Sequence, residues 1–128
     1  MKSAEILIID DDPEMASLVA DIARSEGHRA TCASDPAAAV LLLDGGGFDL
    51  VVTDVRMPNI DGIELIERIA RLDRRIAVVA ISAFGTAQTG MRAIRAGALD
   101  YLAKPFLPEE MARCIERVLQ ARSATPTR

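Results

Sequence analysis

Five polar side chains of this sequence stand at or just after the ends of short apolar runs: Asp10, Asp11, Asp54, Ser82 and Lys104. Three carboxylates brought together repel one another unless a cation holds them. Oxygen ligands favour a hard divalent ion, and a shallow site that keeps several waters favours Mg²⁺ over Ca²⁺. Beside such an ion, the ammonium and hydroxyl groups leave room for an anion such as a phosphoryl group. The five side chains therefore indicate magnesium-assisted phosphoryl chemistry, provided that the fold brings them together.

Each of these residues, taken alone, also has an ordinary explanation. Asp54 could be a surface or helix-capping acid, and Lys104 a surface lysine whose ammonium group reaches water. Asp12, the third residue of the acidic run, is well placed to cap a helix that begins at Pro13. Asp10 and Asp11 have no such structural role. The choice therefore depends on the elements that surround these groups.

The apolar pattern predicts five strands that alternate with five helices. Apolar or β-branched runs predict strands at 6–9, 29–33, 50–53, 76–81 and 99–103. Helical spacing and capping residues predict helices at 13–26, 37–44, 62–72, 86–96 and 108–122. The fourth helix is expected to be weak, because Gly90 costs about 1 kcal/mol relative to alanine. This alternation predicts a parallel α/β sheet with helices on both faces, whose strands all end at one edge.

Composition limits the classes of function that this chain can have. A length of 128 residues fits one domain, and 50% hydrophobic residues with only 3% aromatic ones predict an aliphatic core. The net charge of −4 argues against direct binding of nucleic acid. No run of about 18 apolar residues and no signal-peptide pattern occurs, so we expect a cytoplasmic protein that does not bind membranes.

Three further residues are candidates for chemistry, and each has a structural interpretation. Cys32 and Cys114 are expected to be buried packing residues in a reducing compartment rather than disulfide partners or redox groups. His28 is the only histidine and follows a glycine. We expect it to be a surface loop residue rather than a ligand or phosphodonor.

Five motifs occur in order at the predicted strand ends. They are Ile-Leu-Ile-Ile-Asp-Asp-Asp-Pro, Val-Val-Thr-Asp-Val-Arg-Met-Pro-Asn-Ile-Asp-Gly, Ile-Ser-Ala, Ala-Gly-Ala-Leu-Asp-Tyr and Lys-Pro-Phe. Together, over residues 4–121, they resemble the receiver domain of two-component response regulators. The stretches Arg56-Met57-Pro58 and Asp100-Tyr101-Leu102 are similar to receivers of the nitrogen-regulation class. The resemblance implies a flavodoxin-like, doubly wound (βα)5 fold with strand order 2-1-3-4-5 over residues 1–122. Residues 123–128 are polar and are predicted to be a tail or the start of a linker.

The resemblance implies a role for each residue at the predicted edge. Asp54 would accept a phosphoryl group from a sensor histidine kinase or phosphotransfer protein, and Lys104 and Ser82 would contact its oxygens. The implied Mg²⁺ ligands are the carboxylates of Asp10, Asp11 and Asp54 and the backbone carbonyl of Arg56. A cis peptide bond would precede Pro105.

The resemblance also implies how phosphorylation at this edge would change a more distant surface. Ser82 would turn towards the phosphoryl group, and Tyr101 would swing inward, although a half-buried strand tyrosine is its other interpretation. The surface of the fourth helix, fifth strand and fifth helix would then change for an output domain, a downstream protein or a phosphorylation-linked homodimer. Arg56 and Phe84 would tune hydrolysis. Phe84 cannot deliver a water, so a long-lived phosphoryl group is expected.

Three other classes of protein share parts of this pattern. A haloacid-dehalogenase-like phosphatase needs a second acid two residues after Asp54, where Arg56 stands. A flavodoxin-like flavin binder needs a Ser/Thr/Gly phosphate loop after the first strand, where three acids stand. A degenerate receiver, acting as a phosphorylation-independent interaction module, would lack the acceptor, the acid pair or the lysine. The expected function is therefore that of a signalling domain and not of an enzyme, since it would catalyse only its own phosphorylation and slow autodephosphorylation.

Overall fold

Five strands form one parallel sheet in the computed structural model, which describes residues 3–57, 60–73, 75–83 and 87–124. The strands are β1 (Glu5–Ile9), β2 (Arg29–Ala33), β3 (Leu50–Asp54), β4 (Ala77–Ser82) and β5 (Asp100–Ala103). They lie in the order β2-β1-β3-β4-β5, as predicted. The helices are α1 (Pro13–Ser25), α2 (Pro36–Asp44), α3 (Gly62–Leu72), α4 (Ala87–Ala96) and α5 (Pro108–Ala124). The predicted alternation is confirmed, and α5 continues past its predicted end at residue 122.

Aliphatic side chains cover both faces of the sheet. On one face, Ile6 and Ile8 of β1 pack with residues of α1 and α5, including Val19 and Ile115. On the other face, the alternate residues of the strands pack with α2, α3 and α4. All residues of β3 and β4 are buried. Because both faces are covered, the central strands have continuous apolar sequences instead of alternating ones. Within the described residues, no helix has the length and apolar character needed to cross a bilayer.

The parallel register aligns the polar ends of the strands. Ile9 of β1 pairs with Thr53 of β3, so Asp10 and Asp54 occupy the next positions on neighbouring strands. The pairing of β4 with β5 ends one residue before Lys104. The sheet therefore delivers these charged groups to the same edge, which the sequence pattern had predicted.

The prediction that His28 is a surface loop residue was wrong. His28 is 6% exposed, and its Nδ1 accepts a hydrogen bond from the Ala4 N–H at 3.0 Å. Its Nε2 lies 3.0 Å from a carboxylate oxygen of Glu116 and donates to it in the tautomer that satisfies both contacts. The partners are 24 and 88 residues away in the chain, so no local pattern predicts this buried link between the sheet and α5.

The prediction of two buried thiols is correct for Cys114 and wrong for Cys32. Cys32 is exposed, because β2 is an edge strand of the sheet. Cys114 is buried on α5, where its Sγ lies 3.5 Å from an Asp100 carboxylate oxygen. Burial and the adjacent Asp100 charge raise the pKa of Cys114 to about 12. The two thiols should therefore differ strongly in reactivity.

We expect a thiol reagent at pH 8 to modify Cys32 rapidly and Cys114 only after unfolding. Counting modified thiols with and without urea tests this, and Cys32→Ser should remove the rapid phase. Equal rates for the two thiols in the folded protein would contradict the difference in burial. Because an unfolded Cys114 ionises near its ordinary pKa of 9.0 and the folded thiol at about 12, the unfolded state binds fewer protons between these values. The contribution of Cys114 to stability therefore falls as pH rises through this window.

Candidate functional site

Three carboxylates converge at the carboxyl edge of the sheet. Oxygen atoms of Asp10, Asp11 and Asp54 lie within 4.8 Å of one another. Asp10 and Asp54 are buried, whereas Asp11 is exposed, so the cluster opens to solvent on one side. Oxygen donors on an open cluster fit a hard divalent cation that keeps part of its water shell.

The third residue of the acidic run has a different role. Asp12 accepts a hydrogen bond from the Glu14 N–H at 3.0 Å and caps α1, as predicted. The Asp12 N–H in turn donates to Asp10 Oδ1 at 2.9 Å. The cap therefore also orients a carboxylate of the cluster.

Lys104 reaches the same cluster from the end of β5. Its Nζ lies 3.0 Å from Asp10 Oδ2 and 3.1 Å from Asp54 Oδ2. The lysine side chain is 11% exposed, so it is not a surface lysine whose ammonium group extends into water. The Lys104–Pro105 peptide bond is cis, as the resemblance implied.

Burial and charge pairing have opposite effects on the pKa values of the groups in this cluster. Burial raises the pKa of Asp10 and outweighs the hydrogen bonds from Asp12 and Lys104. Burial lowers the pKa of Lys104, but its hydrogen bonds and charge pairing with Asp10 and Asp54 outweigh this and raise it. Lys104 therefore stays positively charged. One ammonium group cannot neutralise three carboxylates, so the cluster favours a further cation.

Each oxygen of Asp54 has a defined partner. Oδ1 accepts a hydrogen bond from the Arg56 N–H at 2.9 Å, and Oδ2 faces Lys104. Arg56 begins a short antiparallel pair of segments, Arg56–Met57 and Ile60–Asp61, between β3 and α3. The Arg56 side chain is exposed. Phe84, the other predicted hydrolysis-tuning residue, lies outside the described residues.

Two buried hydroxyl groups of β4 and β5 have no hydrogen-bond partner in the described part of the chain. Among the described residues, Ser82 Oγ and the Tyr101 hydroxyl are buried and make no hydrogen bond. Leaving a buried polar group unpaired costs about 1–3 kcal/mol. Ser82 ends β4, at the same edge as Asp54 and Lys104. Its hydroxyl is therefore available to an oxygen-rich ligand bound at this edge.

Gly62 allows a close backbone contact in the loop that follows Asp54. The sequence did not predict this contact. The Gly62 N–H donates to the Val55 carbonyl oxygen at 3.0 Å. A Cβ added at Gly62 would lie 2.5 Å from that same oxygen, closer than real atoms approach. The glycine therefore lets α3 begin against the residue next to Asp54. In the sequence, this glycine was only the first residue of the predicted helix at 62–72.

The fold and this site together define a class of signalling domain. A parallel sheet in the order 2-1-3-4-5 carries at its carboxyl edge an acid cluster, a bridging lysine and the buried hydroxyl of Ser82. The family model described as response regulator receiver domain matches residues 6–116. The chain belongs to this family of two-component signalling domains.

Relatives with known names support the same assignment. Transcriptional regulatory protein TcrA of Mycobacterium tuberculosis is 37% identical over 127 residues, which cover 98% of this chain and 49% of TcrA. Nitrogen assimilation regulatory protein NtrX of Azorhizobium caulinodans is 35% identical over 118 residues, which cover 91% of this chain and 26% of NtrX. This chain therefore spans half or less of the length of these relatives.

One similar solved structure consists almost wholly of the matching domain. The solution structure of the beryllofluoride-activated NtrC4 receiver domain dimer has a TM-score of 0.87 and 28% identity to this chain. The match covers 92% of this chain and 98% of that one. Together with NtrX, it agrees with the nitrogen-regulation class that the motifs indicated.

Proposed function

We propose that this domain accepts a phosphoryl group on the Asp54 carboxylate from a sensor histidine kinase or phosphotransfer protein. The observation that carries the proposal is the convergence of charges on Asp54. Oxygens of Asp10 and Asp11 lie within 4.8 Å of an Asp54 oxygen, and Lys104 Nζ lies 3.1 Å from Oδ2. A carboxylate is a modest nucleophile, so positioning and neutralisation of charge must supply most of the rate.

Each residue of the site has its own role in the proposed phosphoryl transfer. The Arg56 N–H orients the Asp54 carboxylate through Oδ1. As the P–O bond to Asp54 forms, the P–N bond to the donor histidine breaks, and Asp54 loses its negative charge. Lys104 then pairs with the phosphoryl oxygens, and the unpaired hydroxyl of Ser82 donates to one of them.

The acid cluster is the proposed Mg²⁺ site of the domain. The proposed ligands are the carboxylates of Asp10, Asp11 and Asp54 and the backbone carbonyl of Arg56. When bound, Mg²⁺ supplies positive charge to the phosphoryl oxygens. The Lys104 bridge holds Asp10 and Asp54 near each other, and the exposed Asp11 leaves room for retained waters.

The proposed output is a change of the surface formed by α4, β5 and α5. The phosphoryl group adds charge and acceptor oxygens beside Ser82. Movement of Ser82 frees space for Tyr101. This change shifts an existing equilibrium between two conformations of α4. Apolar side chains of Met91, Ile94 and Leu99 are exposed on this side of the domain. We infer that they meet an output domain or downstream partner that controls transcription, or a second phosphorylated copy.

Beryllofluoride binding in the presence of Mg²⁺ tests the proposal. We expect saturable binding, together with phosphorylation by acetyl phosphate detected by mass spectrometry, and complete loss of both in Asp54→Asn. Asp44→Asn, an exposed carboxylate at the end of α2, is the matched control and should behave as the wild type. Phosphorylation that persists in Asp54→Asn would overturn the assignment of Asp54.

A degenerate receiver that works only as an interaction module is the second candidate. It would lack the acceptor, the acid pair or the lysine. Asp54, Asp10, Asp11 and Lys104 are all present and lie together. No observation favours this candidate, and the same binding experiment distinguishes it.

The phosphoryl group is expected to persist once formed. Arg56 and Phe84 hold the positions that tune hydrolysis in this family. Neither a carboxylate nor an amide stands at position 84 to orient a water for attack on phosphorus. The proposed domain is therefore a signalling switch with slow autodephosphorylation.

A further inference from the structure

Gly90 of α4 lies directly against the ring of Tyr101. A Cβ added at Gly90 would stand 2.9 Å from Tyr101 Cδ2, 3.3 Å from Cε2 and 3.4 Å from Cγ. Gly90 is buried, and the Tyr101 hydroxyl is buried without a hydrogen-bond partner among the described residues. The aromatic ring therefore occupies the space that a side chain at position 90 would fill.

The helix itself gives no reason for a glycine at this position. Gly90 lies inside α4, and it is not one of the glycines with positive φ, so any L-residue could adopt its backbone conformation. Glycine is among the poorest helix formers, so it weakens α4. The approach of the Tyr101 ring is the feature that explains it.

Tyr101 lies on the same face of the sheet as Ser82. Tyr101 of β5 pairs with Ala80 of β4, and Ser82 is two residues after Ala80 on the same strand. Residues two apart on a strand point to the same face. Because Ala80 and Tyr101 pack in the cluster under α3 and α4, the side chain of Ser82 also points to this face. Ser82 and Tyr101 therefore lie on the face of the sheet that α4 covers, and Gly90 of α4 lies against the Tyr101 ring.

We propose that Gly90 is the positioning residue of Tyr101 and sets how often its ring occupies the inward position under α4. The proposal rests on the proposed function, because it takes the inward ring as the state coupled to an occupied phosphoryl site. An alanine at position 90 must displace either the ring or α4. Overpacking of this kind typically shifts an equilibrium by about fivefold or more. Ligand affinity falls by up to the same factor, because the apparent affinity scales with the populated fraction of the competent conformation.

Intrinsic fluorescence gives a readout of this ring alone. Tyr101 is the only tyrosine, and the chain has no tryptophan. We expect Gly90→Ala to increase quenching of Tyr101 by acrylamide, because the ring leaves its partly buried position against α4. In the same variant, the apparent Kd for beryllofluoride with Mg²⁺ should rise by up to the factor by which the equilibrium shifts. Gln88→Ala, on the exposed side of α4, is the control for altered helix propensity and should change neither quantity.

A double-mutant cycle separates the ring contact from helix propensity. Alanine favours a helix more than glycine does, so Gly90→Ala should raise the Tm when Tyr101→Ala has removed the ring. With Tyr101 present, the same change should lower the Tm or leave it unchanged. An equal rise in both backgrounds would overturn the proposal, and so would unchanged quenching in folded Gly90→Ala.

Different experimental results would refute the phosphoacceptor function and the proposed role of Gly90. If Gly90→Ala increases quenching but leaves beryllofluoride affinity unchanged, Gly90 positions the ring, but the assumed coupling of the ring to the phosphoryl site is wrong. If the wild-type domain binds no beryllofluoride, the phosphoacceptor function fails. The fluorescence and the mutant cycle still decide whether Gly90 positions Tyr101 in that case, because neither requires a ligand.

Discussion

Lys104→Met is expected to lower the free energy of unfolding by about 3 kcal/mol at pH 7 without Mg²⁺, the usual effect of removing one member of a buried ion pair. The Asp10 side chain is 0% exposed and that of Asp54 is 7% exposed. Both carboxylates would lose the only ammonium group that contacts them among the described residues. Methionine keeps the length and apolar stem of lysine, so loss of packing contributes little to this difference.

Urea unfolding with and without Mg²⁺ measures this effect. Added Mg²⁺ should recover part of the lost stability, because a cation in the acid cluster replaces the missing positive charge. The recovery should exceed the stabilisation that Mg²⁺ gives the wild type. Arg71→Met, at an exposed position of α3, is the control for losing one positive charge. Equal stability of Lys104→Met and wild type would show that the bridge is not formed in solution.

Gly62→Ala is expected to lower the free energy of unfolding by about 3 kcal/mol, at the upper end of ordinary overpacking effects. The new Cβ would lie 2.5 Å from the Val55 carbonyl oxygen and 2.6 Å from Val55 Cα. Both are backbone atoms, so no change of rotamer relieves the contact. Either α3 or the segment next to Asp54 must shift, and the shift should also weaken binding of beryllofluoride.

Chemical unfolding and beryllofluoride titration of the same variant check both effects. Gly45→Ala is the matched control, since Gly45 has a φ of −72° and the nearest atom to an added Cβ is the Leu42 oxygen at 3.3 Å. It should change stability much less and leave beryllofluoride binding intact. A stable Gly62→Ala variant with normal binding would contradict the close approach at Val55.

The Lys104 bridge has a consequence for the resting state of the site. One ammonium group contacts Asp10 and Asp54 together, so it holds the proposed acceptor and a proposed metal ligand in place. In the proposed transfer, the contact with Asp54 would be exchanged for one with the phosphoryl group. Lys104 therefore links the charge of Asp54 to the arrangement of the cluster, which explains why its replacement should affect both stability and binding.

Much of the site could be predicted because its residues follow local rules. A cap such as Asp12 and a buried strand such as Leu50–Asp54 depend on neighbours within a few residues. The parallel topology then requires every strand to end at one edge, so Asp54 and Lys104 were expected at the same edge of the sheet. The resemblance to a family added the roles of these residues and the strand order.

Other features depended on contacts between distant parts of the chain. His28 is buried because Ala4 and Glu116 satisfy both ring nitrogens, and Cys32 is exposed because its strand lies at the edge of the sheet. Gly90 looked like a weak point of a helix until the ring of Tyr101 occupied its place. None of these environments leaves a periodic trace in the sequence, since each one depends on a partner brought close only by folding.

The sequence by itself determined the order of the elements, their caps and the charged groups at the strand ends, because each rests on near neighbours or on the direction of parallel strands. Only the tertiary structure decided that Lys104 bridges two carboxylates. It also decided that the Val55 carbonyl packs closely against Gly62 and an aromatic ring against Gly90. Distances of a few ångströms between remote segments control those contacts. Such distances follow from the packing of the whole sheet and its helices.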